Sequence, residues 1–317
     1  MESHQYLYTL NYPLHEKELC NLEIRALFNL DAEEKVIISD VKIDPSISPY
    51  LRARLQMTIE SDTYEGILQL VFEANIIDSQ FLVKYARTGL MDPPFKNRRV
   101  YCKDLGLLIQ GLPSFDTPNQ LYGITAYKGL WYFGELIEKD NQWKKHQDKP
   151  YPYSSSLGIN MAKALVNIAS KGNKNNTLID PCCGVGTVLL EAAYSNYKIV
   201  GWDINPLVAD NARKNLSHYH YDILVTKGDI GEINSHYDAA IIDLPYGNFT
   251  SASDEERLMI LRKGKVICDQ LVVVSQIDIK DLLVKEDLNI VDSCLVGKPR
   301  KSDFYRYIYV CLPDNAQ

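Results

Sequence analysis

The chain has 317 residues, of which 46% are hydrophobic, and a formal net charge of −7. This length predicts two or three domains, with enough apolar residues for more than one core. The negative net charge argues against a protein that coats nucleic acid nonspecifically, but it leaves a local basic face open, because the distribution of charge matters more than its sum.

The sequence gives no indication of a membrane or secretory protein. No apolar run approaches the roughly 20 residues of a membrane-spanning helix, and the N-terminus lacks a basic region followed by an apolar stretch. The seven cysteines are odd in number and lack zinc-type spacing. Adjacent Cys182 and Cys183 fit small reduced residues in a tight turn better than a redox pair. We therefore expect a cytoplasmic protein in a reducing compartment, without a bound metal.

The first part of the chain mixes strands and helices without a regular alternation, as in α+β folds. Helical spacing of Cys20, Ile24, Leu27 and Phe28 predicts a helix over 14–29. A polar, proline-bearing stretch at 138–152 predicts the domain boundary. Strands are predicted at 5–10, 36–41 and 81–89, a hairpin at 121–127 and 130–136, and a short helix at 104–110, while the element types at 52–59 and 66–72 stay open.

From Ser154 onward, strands and helices alternate, which predicts a doubly wound parallel sheet. Ser154–Ser156 could cap a helix with an apolar face at Leu157, Met161, Leu165 and Ile168. A short return before the last strand predicts an antiparallel hairpin. The predicted strands are 177–180, 198–203, 223–226, 239–243, 266–275, 289–296 and 304–312, and the predicted helices are 188–195, 206–217, 255–263 and 279–284.

The stretch TLIDPCCGVGTVLLE, at 177–191, reads as strand, glycine turn and helix. Such a turn holds nucleotide-like ligands at the carboxyl ends of strands, because glycine allows a close approach of the backbone. Leu189 stands where a dinucleotide fingerprint would have a third glycine. An ordinary tight turn between a strand and a helix is the alternative interpretation.

Acidic residues follow the next two predicted strands. Asp203 follows the second strand and could accept hydrogen bonds from both hydroxyls of a ribose, although it could simply be an acid at a helix entry. Asp229 follows the third strand and could accept a hydrogen bond from an adenine amino group, although a turn aspartate is nearly as good an explanation.

The fourth predicted strand ends in Asp243-Leu-Pro-Tyr246. The Asp243 carboxylate and the Leu244 carbonyl could accept the two hydrogens of an exocyclic amine, and the Tyr246 ring could stack on the base. Pro245 restrains Leu244 to extended geometry, which would aim that carbonyl. A buried strand that ends in a proline turn is the alternative.

Together these motifs resemble those of class I S-adenosylmethionine-dependent amino-methyltransferases, and especially the RNA guanine-N2 methyltransferases that carry an N-terminal THUMP domain. The resemblance implies a Rossmann-like, seven-stranded methyltransferase sheet with an antiparallel last strand. It implies that S-adenosylmethionine is bound by Asp180, Cys182, Gly184, Gly186, Thr187, Asp203, Ile204, Asp229 and Ile230. It also implies that Asp243, Leu244, Pro245 and Tyr246 form the catalytic tetrad.

Two departures from the family pattern matter. Leu244 replaces the commoner first proline of the tetrad, which makes the turn less rigid. Cys182 replaces the usual aromatic residue or methionine before the cysteine of the glycine turn, which could alter the affinity for the cofactor without removing a ligand.

A weaker resemblance divides the chain into domains. Residues 81–89, 104–112 and 115–134 resemble the closing half of a THUMP domain, and 151–157 resembles the segment that leads into the catalytic domain of those enzymes. It implies an N-terminal α+β RNA-binding region at 1–147, ferredoxin-like plus THUMP-like, and a catalytic domain at 148–317 that depends on S-adenosylmethionine. RNA would be bound by local basic clusters, of which Lys298, Arg300, Lys301 and Arg306 are favoured over two others at 96–103 and 144–149. Each cluster could instead be an ordinary solvated surface.

The resulting hypothesis is methyl transfer from S-adenosylmethionine to the N2 amine of a guanosine in tRNA. The tetrad alone would also fit adenine N6 in DNA or rRNA, or a glutamine amide in a protein. A catalytically silent RNA-binding adaptor that kept the fold is the third possibility, and intact acids at three strand ends argue against it.

Overall fold

The fold is described from a computed structural model, which covers residues 5–32, 34–154, 156–245, 253–298 and 301–314. These residues form two compact units. The first unit contains the residues before Tyr12 together with Ala32–Asp140, and the second contains Tyr12–Asp31 and the residues from Asn141 onward.

The helices and strands have the following bounds. The strands are β1 Tyr6–Leu10, β2 Val36–Ser39, β3 Leu51–Gln56, β4 Ile59–Ser61, β5 Phe81–Tyr85, β6 Gln120–Tyr127, β7 Leu130–Glu138, β8 Thr177–Asp180, β9 Lys198–Asp203, β10 Val225–Lys227, β11 Tyr237–Asp243, β12 Cys268–Ser275, β13 Leu288–Lys298 and β14 Lys301–Pro313. The helices are α1 Lys17–Phe28, α2 Tyr64–Glu73, α3 Phe95–Leu108, α4 Ile159–Ser170, α5 Thr187–Tyr194, α6 Pro206–His218, α7 Asp254–Ile267 and α8 Lys280–Lys285.

The first unit is built on a sheet in the order β2-β1-β3-β7-β6-β5, with β4 also paired to β7. Only β5 and β6 are parallel among these described pairs. Helices α2 and α3 cover part of the sheet, and Ile67, Leu105 and Phe133 lie in the core between them. The unit is therefore α+β in class, and its likeness to a THUMP domain stays a prediction.

The second unit contains a seven-stranded sheet in the order β10-β9-β8-β11-β12-β14-β13. The first five of these strands are mutually parallel, whereas β14 is antiparallel to both β12 and β13. Apolar runs such as Ala239–Ile242 are fully buried, as expected for parallel strands covered on both faces. The predicted Rossmann-like, seven-stranded sheet with an antiparallel last strand is confirmed.

Helix α1 lies in the second unit rather than in the N-terminal region to which the sequence assigned it. Its residues Leu19, Leu22 and Ile24 are buried, and its neighbours are α4 and β13. Polar bonds reinforce this packing: Arg25 forms a two-pronged ion pair with Asp292 in β13, at 2.7 and 2.9 Å. The sequence shows the apolar face of the helix, but it cannot show which domain that face covers.

Two helix starts differ from the sequence prediction. Helix α4 begins after Gly158, which is its N-cap and gives no side-chain cap, and the hydroxyl of Ser156 instead donates to the Tyr153 carbonyl. Helix α3 begins at Phe95, directly after Pro94, well before the predicted start at 104. Its first turns are largely exposed, so they carry no amphipathic pattern that the sequence analysis could detect.

The packing of α1 predicts a stability effect. Replacing fully buried Ile24 by alanine leaves a cavity next to the second unit's core, and we expect the free energy of unfolding to fall by about 2–5 kcal/mol. Leu14→Ala is the control, because Leu14 is 85% exposed and its loss should cost less than about 0.5 kcal/mol. Urea unfolding followed by circular dichroism measures both, and equal stabilities would contradict the placement of α1.

Candidate functional site: a cavity at the carboxyl ends of the parallel strands

A cavity of about 560 Å³ opens where β8, β9, β10 and β11 end. The turns that follow these four strands form most of its wall, because the carboxyl ends of parallel strands meet at one edge of the sheet. It brings together many of the residues that the sequence singled out: Asp180, Cys182, Gly184, Thr187, Asp203, Ile204, Asp229, Ile230, Asp243, Leu244 and Pro245.

The glycine turn after β8 takes a backbone shape that side chains disfavour. Gly184 and Gly186 have φ values of +55° and +83°. Gly186 is not part of the cavity wall; a Cβ atom there would lie 3.3 Å from the Cβ of Ala212 in α6. Gly184 therefore lies at the ligand side of the turn, while Gly186 lets the turn and α5 approach α6 closely.

Thr187 begins α5 and lines the cavity. Its side chain is buried, and its Oγ1 has no hydrogen-bond partner among the described residues. A buried hydroxyl that lacks a partner is costly. A ligand in the cavity that offers a polar atom to Thr187 would remove that cost.

Asp203, at the end of β9, fixes two neighbouring segments. Its Oδ2 accepts a hydrogen bond from the Gly184 N–H at 2.9 Å, and its Oδ1 accepts one from the Asn205 N–H at 2.9 Å. Burial raises the pKa of Asp203 above its ordinary value, while these two bonds act in the opposite direction. Asn205 in turn caps α6 by accepting from the N–H groups of Leu207 and Val208.

Asp180, at the end of β8, is almost completely buried. Burial, followed by repulsion from the nearby Asp243 and Asp203 carboxylates, raises its pKa well above the ordinary value, although the Cys182 N–H donates to it at 3.2 Å. Several carboxylates in one poorly solvated cavity favour a ligand that carries positive charge. These carboxylates thus fit a ligand that carries positive charge and hydrogen-bond donors.

The turn after the third strand, β10, contributes Gly228, Asp229 and Ile230 to the wall. The Asp229 carboxylate accepts from the Gly231 N–H at 2.7 Å and caps a short 3-10 helix at Ile230–Glu232. A Cβ at Gly228 would meet the Trp202 ring at 2.7 Å, so the chain passes directly over that ring. The side chain of Ile230 is buried and lines the cavity.

The fourth strand places Asp243 half-buried at the cavity, with Leu244 and Pro245 beside it. The Leu244 N–H donates to the Val274 carbonyl at 3.0 Å, and the Leu244 side chain is buried in the core. A proline at this position could not donate that bond. The departure from the family pattern is therefore compensated by pairing with β12. Tyr246 lies outside the described residues.

The adjacent cysteines have structural surroundings. Burial raises the pKa of both the Cys182 and the Cys183 thiol, so neither is a ready thiolate. The Cys183 N–H donates to the Trp202 carbonyl at 2.8 Å, which ties the turn to β9. These surroundings agree with small residues that fill a tight turn.

The cavity also contains residues that the sequence analysis did not assign to a site. Those on α7 had no signal, because a helix after the fourth strand does not reveal which of its faces points into a cavity. Those near Tyr153 lie in a segment that was recognised only as a lead into the catalytic domain. The additional wall residues include Tyr153, Ser156, Leu157, Val188, Asn205, Val208, Gly228, Glu256, Met259 and Ile260.

The favoured basic cluster is only partly described. Arg300 and the side chains of Lys298 and Lys301 lie outside the described residues. Arg306 is only 6% exposed in β14, opposite Val296. Its burial is a correction to the sequence analysis, because a guanidinium in the interior is not a surface contact for RNA phosphates.

Comparisons with known proteins identify the family of the chain. Residues 147–263 match the RMKL-like methyltransferase domain, UPF0020. The chain is 33% identical over 118 residues to a probable tRNA (guanine(10)-N2)-dimethyltransferase of Methanothermococcus thermolithotrophicus, covering 34% of this chain and 72% of that protein. This chain belongs to the same methyltransferase family.

Two further similarities differ in how much of each chain they cover. The chain is 30% identical over 133 residues to the tRNA (guanine(10)-N2)-dimethyltransferase of Methanothermobacter thermautotrophicus, covering 40% of this chain and 39% of that protein. The chain thus spans about two fifths of that relative's length. The crystal structure of TrmN from Thermus thermophilus superimposes with a TM-score of 0.48 at 14% identity, covering 98% of this chain and 100% of that one.

No helix in the described part of this methyltransferase is long and apolar enough to cross a membrane.

The raised pKa of Asp180 predicts a pH-dependent stability effect. The ionised form is penalised by burial, so the penalty is absent at low pH and grows as pH rises from the unfolded value, about 3.9, through the raised folded value. Asp180→Asn keeps the acceptor for Cys182 but cannot ionise. We expect a higher melting temperature than wild type at neutral pH, with a difference that shrinks toward pH of about 4.

Asp238→Asn is the control with the opposite sign. Bonds from the Thr177 backbone N–H and hydroxyl lower the pKa of Asp238, so its stabilising effect is present at neutral pH and lost as pH falls through the lowered pKa. This variant should melt below wild type at neutral pH. Thermal unfolding measured across the pH range tests both variants. If the melting temperatures of D180N and wild type differ by the same amount at every pH, the raised pKa of Asp180 is contradicted.

Proposed function

We propose that this protein transfers a methyl group from S-adenosylmethionine to the exocyclic N2 amine of a guanosine in tRNA. Two relatives are named for this reaction at position 10 of tRNA. The observation that carries the proposal is the position of Asp243, Leu244 and Pro245 in the wall of a cavity that is lined by acids from the three neighbouring strand ends.

The residues present fit S-adenosylmethionine. Asp203 would accept from the ribose hydroxyls, and Asp229 and Ile230 would contact the adenine ring. The methionine end would lie near Asp180, Gly184 and Thr187. The buried Asp180 carboxyl suits an ammonium group, and the Thr187 hydroxyl, which has no partner among the described residues, suits a carboxylate group. When bound, S-adenosylmethionine supplies a methyl group that is already activated by the positive charge on sulfur.

The catalytic task of the chain is then positioning and charge stabilisation. Asp243 accepts one hydrogen of the guanine amine, which orients the nitrogen lone pair toward the methyl donor. Its carboxylate also stabilises the positive charge that develops on nitrogen in the transition state. The Leu244 carbonyl accepts the second hydrogen. Stacking on the base is the role that the family resemblance implies for Tyr246, which lies outside the described residues. A guanosine within a helix must be turned out of its stack to reach Asp243.

The first unit is proposed to bind RNA. Helix α3 presents exposed Lys96, Arg99 and Lys103, and the guanidinium groups of Arg98 and Arg99 lie 5.8 and 5.9 Å from the Phe95 ring. Cations next to an exposed aromatic ring suit RNA, because phosphates and unstacked bases can be bound together. This supports an RNA-binding role for the first unit, which contains most of residues 1–147 but not α1.

Nucleoside mass spectrometry of tRNA tests the substrate directly. Digested tRNA from a strain that lacks the gene should lose an N2-methylated guanosine, and expression of the wild-type gene should restore it. Unchanged N2-methylguanosine would refute the proposal. Methyl transfer to purified DNA or protein pools, with none to tRNA, would move the activity to adenine N6 or to a glutamine amide.

A single substitution tests the catalytic assignment. We expect Asp243→Ala to lower methyl transfer to tRNA by about 10²–10³-fold, because orientation of the amine and stabilisation of its developing charge are both lost. Affinity for tRNA, measured by filter binding at fixed salt, should stay within about twofold.

Asp238→Ala is the matched control, because Asp238 is an exposed aspartate near the start of the same strand, β11. Its methyl transfer should stay within a few-fold of wild type at a temperature where both variants are folded. Full activity of D243A would favour a silent RNA-binding adaptor or another catalytic group.

A further inference from the structure

Asn215 in α6 is completely buried and bonds to two separate segments of the second unit. Its Nδ2 donates to the Val185 carbonyl at 2.9 Å and to the Tyr151 carbonyl at 3.0 Å. Its Oδ1 accepts from the Tyr151 N–H at 2.9 Å. The amide therefore uses both donors and its acceptor, and it pairs with Tyr151 as one peptide group pairs with another across a sheet.

The first of these segments is the glycine turn. Val185 lies between Gly184 and Gly186, both at positive φ, in a stretch that has neither helical nor strand hydrogen bonding. Gly186 packs on Ala212, one helical turn before Asn215 on α6. The turn is thus held to α6 by a close backbone contact and by the Asn215 bond, three residues apart on one helix face.

The second segment is the chain that precedes α4. Tyr151 is its anchor, and Tyr153, Ser156 and Leu157, which follow shortly, line the cavity. Ser156 bonds to Tyr153 through both its N–H and its hydroxyl, at 3.0 and 2.8 Å, so the local turn is closed on itself. Tyr151, two residues before Tyr153, is bonded to Asn215, which attaches the start of this segment to α6.

We propose that Asn215 is a positioning residue that joins the methyl-donor turn to the segment at Tyr151, so that the two walls of the cavity form one site. The inference rests on the proposed function, since it assigns S-adenosylmethionine to this cavity. Asn215 itself does not line the cavity and acts through Val185 and Tyr151. Removing its amide should weaken cofactor binding. The loss of similar buried hydrogen bonds elsewhere in the second unit should lower stability without this effect on binding.

Asn167 offers a matched control. It is also a completely buried asparagine on a helix of the second unit, and it donates to Glu23 at 2.6 Å and accepts from the Tyr197 hydroxyl at 3.2 Å. None of these three residues lines the cavity. Asn167→Ala therefore removes a comparable set of buried bonds without touching the proposed connection.

Binding of S-adenosylhomocysteine, measured by titration calorimetry, is the first readout. Asn215→Ala should raise the Kd about tenfold or more, as expected for loss of roughly one buried hydrogen bond's effect on the bound state. Asn167→Ala should leave the Kd within about twofold of wild type, even if its melting temperature falls as far as that of Asn215→Ala. If Asn215→Ala does not fold, Asn215→Ser takes its place, since it keeps a donor but is too short to reach both segments.

Amide hydrogen exchange supplies the readout that a purely structural role would not move. In wild type and in N167A, S-adenosylhomocysteine should slow exchange in the peptide with Val185 and in the peptide with Tyr151 and Tyr153. In the Asn215 variant, protection should be confined to the peptide with Val185. Protection of both peptides in the Asn215 variant, or equal Kd values for the two alanine variants, would overturn the inference.

Failure of the proposed function gives a different result. If wild type does not bind S-adenosylhomocysteine at all, the cofactor assignment itself is wrong. If wild type binds it and the Asn215 and Asn167 variants bind it equally well, the cofactor site stands and only the role of Asn215 is refuted.

Discussion

The carboxylate of Asp203 joins the two turns that follow β8 and β9. By accepting from both Gly184 and Asn205, it fixes the glycine turn after β8 against the start of α6. The same carboxylate lines the cavity, so the group that bonds the two turns is also part of the cavity wall. Turns without regular secondary structure need such bonds, since their backbone groups have no neighbours in a helix or a sheet to satisfy them.

The cavity is lined by several acidic residues that lie close together. Asp180 and Asp203 both have pKa values raised by burial, and Asp243 lies close enough to raise that of Asp180 further. Holding several acids together in a poorly solvated place costs free energy of folding. Groups with strongly perturbed pKa values cluster at functional sites, and this cost is consistent with a cavity shaped for a positively charged ligand rather than for stability.

Leu244 shows how a departure from a family pattern can be accommodated. A proline would stiffen the turn through its ring, whereas Leu244 is restrained by its bond to Val274 and by burial of its side chain. In this chain the turn is thus restrained by a hydrogen bond to β12 instead of by a proline ring. Asn215 works on the same principle at a greater distance, because one buried side chain holds segments that are far apart in sequence.

The sequence by itself determined the alternation of strands and helices after Ser154, the antiparallel return of the last strand and the acids at four strand ends. These are local signals, since hydrophobic periodicity and turn residues can be recognised within short stretches of sequence. Tertiary structure alone decided that α1 joins the second unit, that Arg306 is buried and that α7 lines the cavity. Each of these depends on which distant surface a residue meets, and that information is not contained in any short stretch of the chain.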